Sequence, residues 1–441
     1  MVKDTDRIMP GLVNLPKKRQ QELTEMADRV VAETLCAYEH FIANNRQVDL
    51  CLWKHVKSRE KVHVYRTRRS DSKLHDDMNE KQPSRPRLLS INTVEQQQRE
   101  ANAAGRPHGF SPDEEDDATI QVVENSASSN SQQSALTQSS SSDCGSFSFF
   151  PEESVLEKAK PTSVPLVVAI GMIDGSVEDV AFGSLAHTDE AWLERNFYVK
   201  NDGFDVRKVL ASFQLPSEED PFRYVGIKWA TRELVAFASR RDILFMESSG
   251  IALDSDGERV YYTLAHSIEL DECPLPSDRL DIVRINMSCC YIMRQTSDTQ
   301  IEVYARGYAD MGGNLPAIFG MSVFAQGVVD VVGIVEASYL KKLAWQISRY
   351  RSSDNLPQQN KECCVCGKSI KRLGSLIVRG GSCAICRHMI CQKCSVEKKL
   401  VLDAKEDFQH QFTFCVSCVI ESRKMSAWDV AIAQLKTKQK K

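Results

Sequence analysis

Apolar side chains recur at three- and four-residue steps through residues 17–43: Leu23, Met26, Ala27, Val30, Val31, Leu35, Tyr38, Phe41 and Ile42. That period places them along one side of a helix. Leu50-Cys51-Leu52-Trp53 and Val62-His63-Val64-Tyr65 come next, with the alternation and β-branched or aromatic content of strands. From residue 67 to residue 161 the apolar runs stop. A Gln tract at 96–98, the acidic cluster Asp113-Glu114-Glu115-Asp116-Asp117 and a serine-rich stretch take their place. Serine fills 11 of the 23 positions from Ser126 to Ser148. Such a segment buries too little apolar area to offset chain entropy, so 67–161 reads as a disordered insertion. A phosphorylated segment and a passive solvated loop both fit its composition.

The apolar pattern resumes with Leu166-Val167-Val168-Ala169-Ile170-Gly171-Met172. Gly175-Ser176-Val177 offers a serine cap and a helix start. Residues 190–213 read as helical or mixed. Strand-like runs then cover Phe222–Trp229, Ile243–Glu247, Val260–Leu270, Ile282–Arg294 and Ile301–Tyr308. Turn signals such as Asp254-Ser255-Asp256-Gly257 separate them. Consecutive strands with short turns imply an antiparallel sheet, and one long helix from Ala317 to Ser348 closes the body. The expected class is α+β. Ala317–Val335 is the longest apolar stretch, but Gln326 and Asp330 interrupt it, and a buried lid helix suits it better than a membrane span of about 20 apolar residues.

Composition adds limits. The chain has 441 residues, 42% hydrophobic and 26% charged, with net charge −4. That length suits two or three domains. It excludes a collagen, a wholly disordered chain and a basic nucleic-acid packaging protein, and no nucleic-acid partner is expected. The charge is segregated: residues 361–441 carry +9, leaving −13 for the rest. A basic end suggests an anionic partner there, though four thiolates around one Zn²⁺ are formally −2, so part of the excess offsets the metal sites. The first 20 residues show neither the apolar core nor the cleavage site of a secretory leader, so a reduced, cytoplasmic setting is expected. No G-x-x-x-x-G-K-[ST], H-E-x-x-H or G-x-S-x-G motif occurs, so a non-enzymatic role is expected.

Nine of the 15 cysteines lie between Cys363 and Cys418. Eight form C-x2-C pairs: Cys363/Cys366, Cys383/Cys386, Cys391/Cys394 and Cys415/Cys418. Two thiolates on one tight turn reach a single Zn²⁺, so the spacing points to two structural zinc ions. Cys364 is left over.

Two resemblances rest on particular residues. Tyr304-Ala305-Arg306-Gly307-Tyr308-Ala309-Asp310-Met311-Gly312-Gly313-Asn314-Leu315-Pro316 resembles the strand, D-x-G-G turn and lid-helix start of the START lipid-transfer family. The resemblance covers 15–66 and 162–350. It implies a helix-grip fold, a sheet wrapped around the last helix, with an apolar cavity for a lipid. Phe319, Met321, Phe324, Val328, Val331, Val332 and Val335 would then form its wall, and Arg284 or Arg306 would meet a head group. An ordinary helix–sheet core would use the same residues.

Residues 361–424 resemble the FYVE zinc finger, through Cys383-Ala384-Ile385-Cys386-Arg387-His388-Met389-Ile390-Cys391-Gln392-Lys393-Cys394-Ser395. That family implies a cross-brace: pairs one and three on one zinc, two and four on the other. It also implies a membrane or protein partner and a peripheral place on endosomal membranes. The family's W-x-x-D, R-x-H-H-C and R-V-C elements are not intact, leaving Lys371, Arg372, Arg379 and Arg387 as candidate phosphate contacts. Cys386-x-His388-x2-Cys391-x2-Cys394 also resembles the centre of a RING finger. That reading makes His388 a ligand, leaves Cys383 spare and implies a ubiquitin ligase. A scaffold with no bound lipid is the other alternative. Residues 425–441 read as a basic tail.

Overall fold

The computed structural model describes residues 9–68, 88–89, 154–199, 204–234, 239–275, 281–313, 315–351, 362–370, 372–373, 376–377, 380–402 and 409–439. Most of the expected 67–161 insertion, including the Gln tract, the acidic cluster and the serine-rich stretch, lies outside the described residues.

Helix α1 spans Lys17–Ala43 and buries Leu23, Ala27, Val30 and Tyr38, the stripe that the periodicity defines. Strands β1 (Trp53–Arg59) and β2 (Val62–Thr67) form a hairpin. A short helix α2 (Val155–Ala159) falls within the span assigned to the insertion and corrects that boundary. The buried Glu33 of α1 supplies the reason. Its carboxylate accepts from Ser154 Oγ at 2.8 Å and from the Val155 N–H at 2.7 Å, fixing the start of α2 on α1.

Strand β3 (Val167–Asp174) leads to α3 (Val177–Ser184), where Ser176 Oγ accepts from the Asp179 N–H as the cap. Helix α4 (Asp189–Val199) precedes β4 (Val206–Gln214), β5 (Tyr224–Arg232), β6 (Arg240–Leu253) and β7 (Arg259–Ser267). Then come β8 (Ile282–Arg284), β9 (Asn286–Ser297) and β10 (Gln300–Asp310). The sheet order is β1-β2-β3-β10-β9-β7-β6-β5-β4, antiparallel throughout, with β8 lying parallel to the start of β6. Side-chain alternation gives the sheet two apolar faces. Val303 and Ala305 of β10 face one core; Tyr304 and Tyr308 face the other, under α1.

After β10, Gly312 and Gly313 sit at φ +61° and +60°, where a Cβ is disfavoured. Asp310 accepts from the Gly312 N–H at 3.0 Å, closing the D-x-G-G turn. Pro316 then caps α5 (Ala317–Val329). The expected single helix is broken by a 3₁₀ turn at Asp330–Gly333 before α6 (Ile334–Arg351). Asp330 is pinned there by Arg59 at 2.5 Å and by Gln326 at 2.7 Å, contacts that tighten the turn locally. The helical run Ile318–Arg349 is long and apolar enough to cross a membrane by length and composition, but half of its most apolar window is buried within the fold. Lys341 and Lys342 of α6 are buried as well. Lys341 Nζ donates to the carbonyls of Phe182, Gly183 and Leu185, closing the C-terminal end of α3.

The result is α+β: a curved sheet holding a long broken helix on one face, followed by a cysteine-rich module that ends in helix α7 (Val416–Lys424). The expected basic tail is instead helix α8 (Ala427–Gln439). Its Ala427, Val430 and Ala431 enter the main core, and Trp428 meets Phe222 edge-on at 5.4 Å.

On the α1 face, His266 is buried against Ser288 at 2.9 Å. Burial lowers its pKa from the usual 6.5 to about 4. The unfolded chain therefore takes this proton first as pH falls. The stability linked to neutral His266 is complete above about 6.5 and is lost between 6.5 and 4, amounting to about 3 kcal/mol. We expect the denaturation midpoint of the parent protein to fall more steeply over that window than that of His266→Gln. Equal slopes would sink this assignment.

Candidate functional site

Two sites emerge, a cavity in the body and a pair of cysteine clusters. The cavity measures about 230 Å³ and lies between the sheet, α4 and the broken helix. Strand alternation builds one wall: Met287, Cys289, Tyr291 and Met293 of β9 all face it. The lid contributes Phe324, Val328 and Val331 as expected, joined by Val323, Gly327 and Ile334. Phe319, Met321, Val332 and Val335 do not line it. Met321 and Val335 belong to the packed core, because the helix presents only one face to the hollow.

The polar end of the cavity is not the one expected. Arg284 is held by Asp242 at 2.6 Å and by the Cys273 carbonyl; Arg306 is held by Glu157 at 3.1 Å. Neither lines the cavity. Arg195 of α4, Arg232 of β5 and Glu247 of β6 do. Glu247 Oε1 accepts from Lys228 at 2.8 Å and from Arg195 at 3.5 Å. Lys228 is wholly buried and also donates to the Ala186 carbonyl at 2.7 Å, with its ammonium 4.9 Å from the Trp192 ring. Burial pushes the Glu247 pKa up, but Lys228 and Arg195 outweigh it and hold the carboxyl below its ordinary range. The cavity thus combines an apolar and sulfur-rich body with one ionic end. No motif marks this triad, because its members come from three separate elements.

In the C-terminal module the eight paired cysteines gather into two groups. Cys363, Cys366, Cys391 and Cys394 form one; Cys383, Cys386, Cys415 and Cys418 form the other. Within each, every Sγ lies within 4.8 Å of the others. The Cys366–Cys391 and Cys386–Cys415 sulfurs are 3.7 and 4.0 Å apart. Tetrahedral zinc with Zn–S near 2.3 Å requires S–S separations of about 3.8 Å, so the donors fit the ion. The first C-x2-C pair of each group turns on a left-handed residue just after its second cysteine, Gly367 at φ +68° and Arg387 at +60°. The Cys383 thiol is held down to about 4, first by its hydrogen bond with Cys418, against burial, then by backbone N–H groups.

Pairs one and three, and two and four, are therefore together. His388 joins neither group among the described residues, and Cys383 is a buried member of the second. The RING ligand set needs the reverse. Cys364 stays outside both groups. Of the residual phosphate candidates, Lys371 and Arg379 lie outside the described residues, and Arg387 forms the second knuckle turn.

No protein-family model matches the chain, and no curated protein matches it. Among solved structures, human STARD10 is similar at 10% identity, with 69% of this chain and 79% of that one covered and a TM-score of 0.35. Human StAR-related lipid transfer protein 5 is similar at 14% identity over 70% of this chain and 96% of that one, TM-score 0.34. A fragment of the STAR-related lipid transfer protein from Xanthomonas axonopodis is similar at 11% identity over 65% and 98%, TM-score 0.32. Scores of this size decide nothing about function.

Proposed function

We propose that the body is a non-enzymatic lipid-binding unit and that the C-terminal module is a FYVE-like two-zinc finger that directs it to a membrane or protein partner. The cavity carries this reading. A hollow walled by aromatic, aliphatic and sulfur side chains, with a single ionic end, suits an amphiphile. Its volume falls below the roughly 300–1,000 Å³ of common ligand pockets, which favours one slim chain over a two-chain phospholipid unless α5 shifts outward. In the finger, the metals would be structural. Four thiolates fill each coordination shell, leaving no open position for chemistry. Zinc there supplies folding energy that so small a module cannot draw from its core.

Gly327 gives a clean test. It lines the cavity, and a Cβ added there meets nothing within 4 Å. Gly327→Leu should place its side chain in the hollow and gain about 0.8 kcal/mol of helix propensity. The parent protein should carry lipid that mass spectrometry detects after extraction, and the variant should carry at most a tenth as much at equal or higher thermal stability. Equal lipid in both, or none in the parent, would remove the reading.

A further inference from the structure

The finger does not hang from the body. Its apolar side, Ile385, Ile390, Leu400, Phe414 and Val419 with Cys383 and Cys415, packs on Leu340, Leu343 and Ile347 of α6. Two strands of the finger, β11 (Ser395–Val401) and β12 (Gln409–Cys415), form a hairpin. At its base Ser395 pairs with Cys415, so the two strands leave from Cys394 of one cysteine group and Cys415 of the other. At its far end the Val401 N–H donates to Tyr198 Oη at 3.1 Å. Tyr198 adjoins Val199, which lines the cavity and lies against Gly333 of the helix break. Midway, Lys398 pairs with Glu336 at 2.6 Å, two residues beyond the lining residue Ile334. A two-stranded hairpin is marginal on its own in water, so this one depends on the cysteine groups at its base and on α6, against which Leu400 and Phe414 pack.

We propose that the finger regulates the cavity through this hairpin: loss of metal at its base frees the α4 and Asp330–Glu336 wall and speeds ligand exit. This rests on the lipid-binding reading above. Loss of one part-buried hydrogen bond and one ion pair corresponds to about tenfold in rate. The test uses the full chain and one double variant. NBD-dodecanoic acid release is timed with and without a zinc chelator, and hydrogen exchange is followed at 192–199 and 330–336. Release and exchange should both quicken about tenfold on chelation and recover with added zinc. Tyr198→Phe combined with Lys398→Met, which leaves all eight cysteines in place, should quicken both while retaining two zinc ions. Should chelation unfold the body, that variant decides alone. Unchanged release and exchange in either arm would overturn the proposal. If the probe does not bind at all, the lipid reading fails, and exchange by itself decides the linkage: faster exchange at the wall supports it and unchanged exchange overturns it.

Discussion

Cys383→Ser should purify with one zinc ion per chain where the parent protein holds two, and the part of the finger around the second cysteine group should unfold. Cys383 is 1% exposed, shares the second cysteine group and packs against α6. Structural zinc in small fingers contributes roughly 10–16 kcal/mol of folding free energy at neutral pH. A serine hydroxyl cannot replace a thiolate as a ligand to soft-binding zinc. His388→Gln is the paired control, since His388 lies outside both groups and should keep both metals. Metal content by mass spectrometry of the intact chain decides between the two ligand sets. A Cys383→Ser protein that keeps two zinc ions, with a His388→Gln protein that loses one, would restore the RING arrangement and the ubiquitin-ligase function it implies.

Much of this arrangement could be read from the chain because it rests on local signals. The α1 stripe, the Ser176 cap and the D-x-G-G turn are short-range features, and each stands where its residues place it. The C-x2-C pairs are local too, but their partnership is not. Which pair joins which is set by backbone bonds between distant segments: the Cys364 N–H donates to the Met389 carbonyl and the Ala384 N–H to the Thr413 carbonyl, both at 2.9 Å. The break in the lid helix was hidden for a similar reason: Arg59 reaches Asp330 from a hairpin 271 positions away in sequence. The polar end of the cavity has no signature at all, because Arg195, Lys228 and Glu247 belong to a helix and two strands. Helix α8 did carry a signal. Ala427, Val430, Ala431 and Trp428 stand at helical spacing ahead of Lys436, Lys438, Lys440 and Lys441, and that terminal charge concealed the apolar face.

Lys228→Met should destabilise the body by about 3–5 kcal/mol, the usual result of leaving one member of a buried ion pair behind. Glu247 would keep only Arg195, at 3.5 Å, as a charged partner, and the Ala186 carbonyl would lose its donor. At roughly 2–4 °C per kcal/mol for a domain of this size, the midpoint should drop by about 10 °C. The double change Lys228→Met with Glu247→Leu should cost less than Lys228→Met alone, because no carboxylate remains uncompensated in the core. Acid should act on the same pair. The Glu247 pKa is depressed in the folded protein, so its contribution is present above the ordinary carboxylate range and is lost as pH falls through the folded value. The parent protein should therefore lose more stability between neutral and acid pH than the double variant does. Thermal scans of the three proteins at both pH values supply the comparison. A double variant weaker than Lys228→Met would mean that Glu247 stabilises the fold through Arg195 alone, and that the ionic end of the cavity persists without its buried lysine.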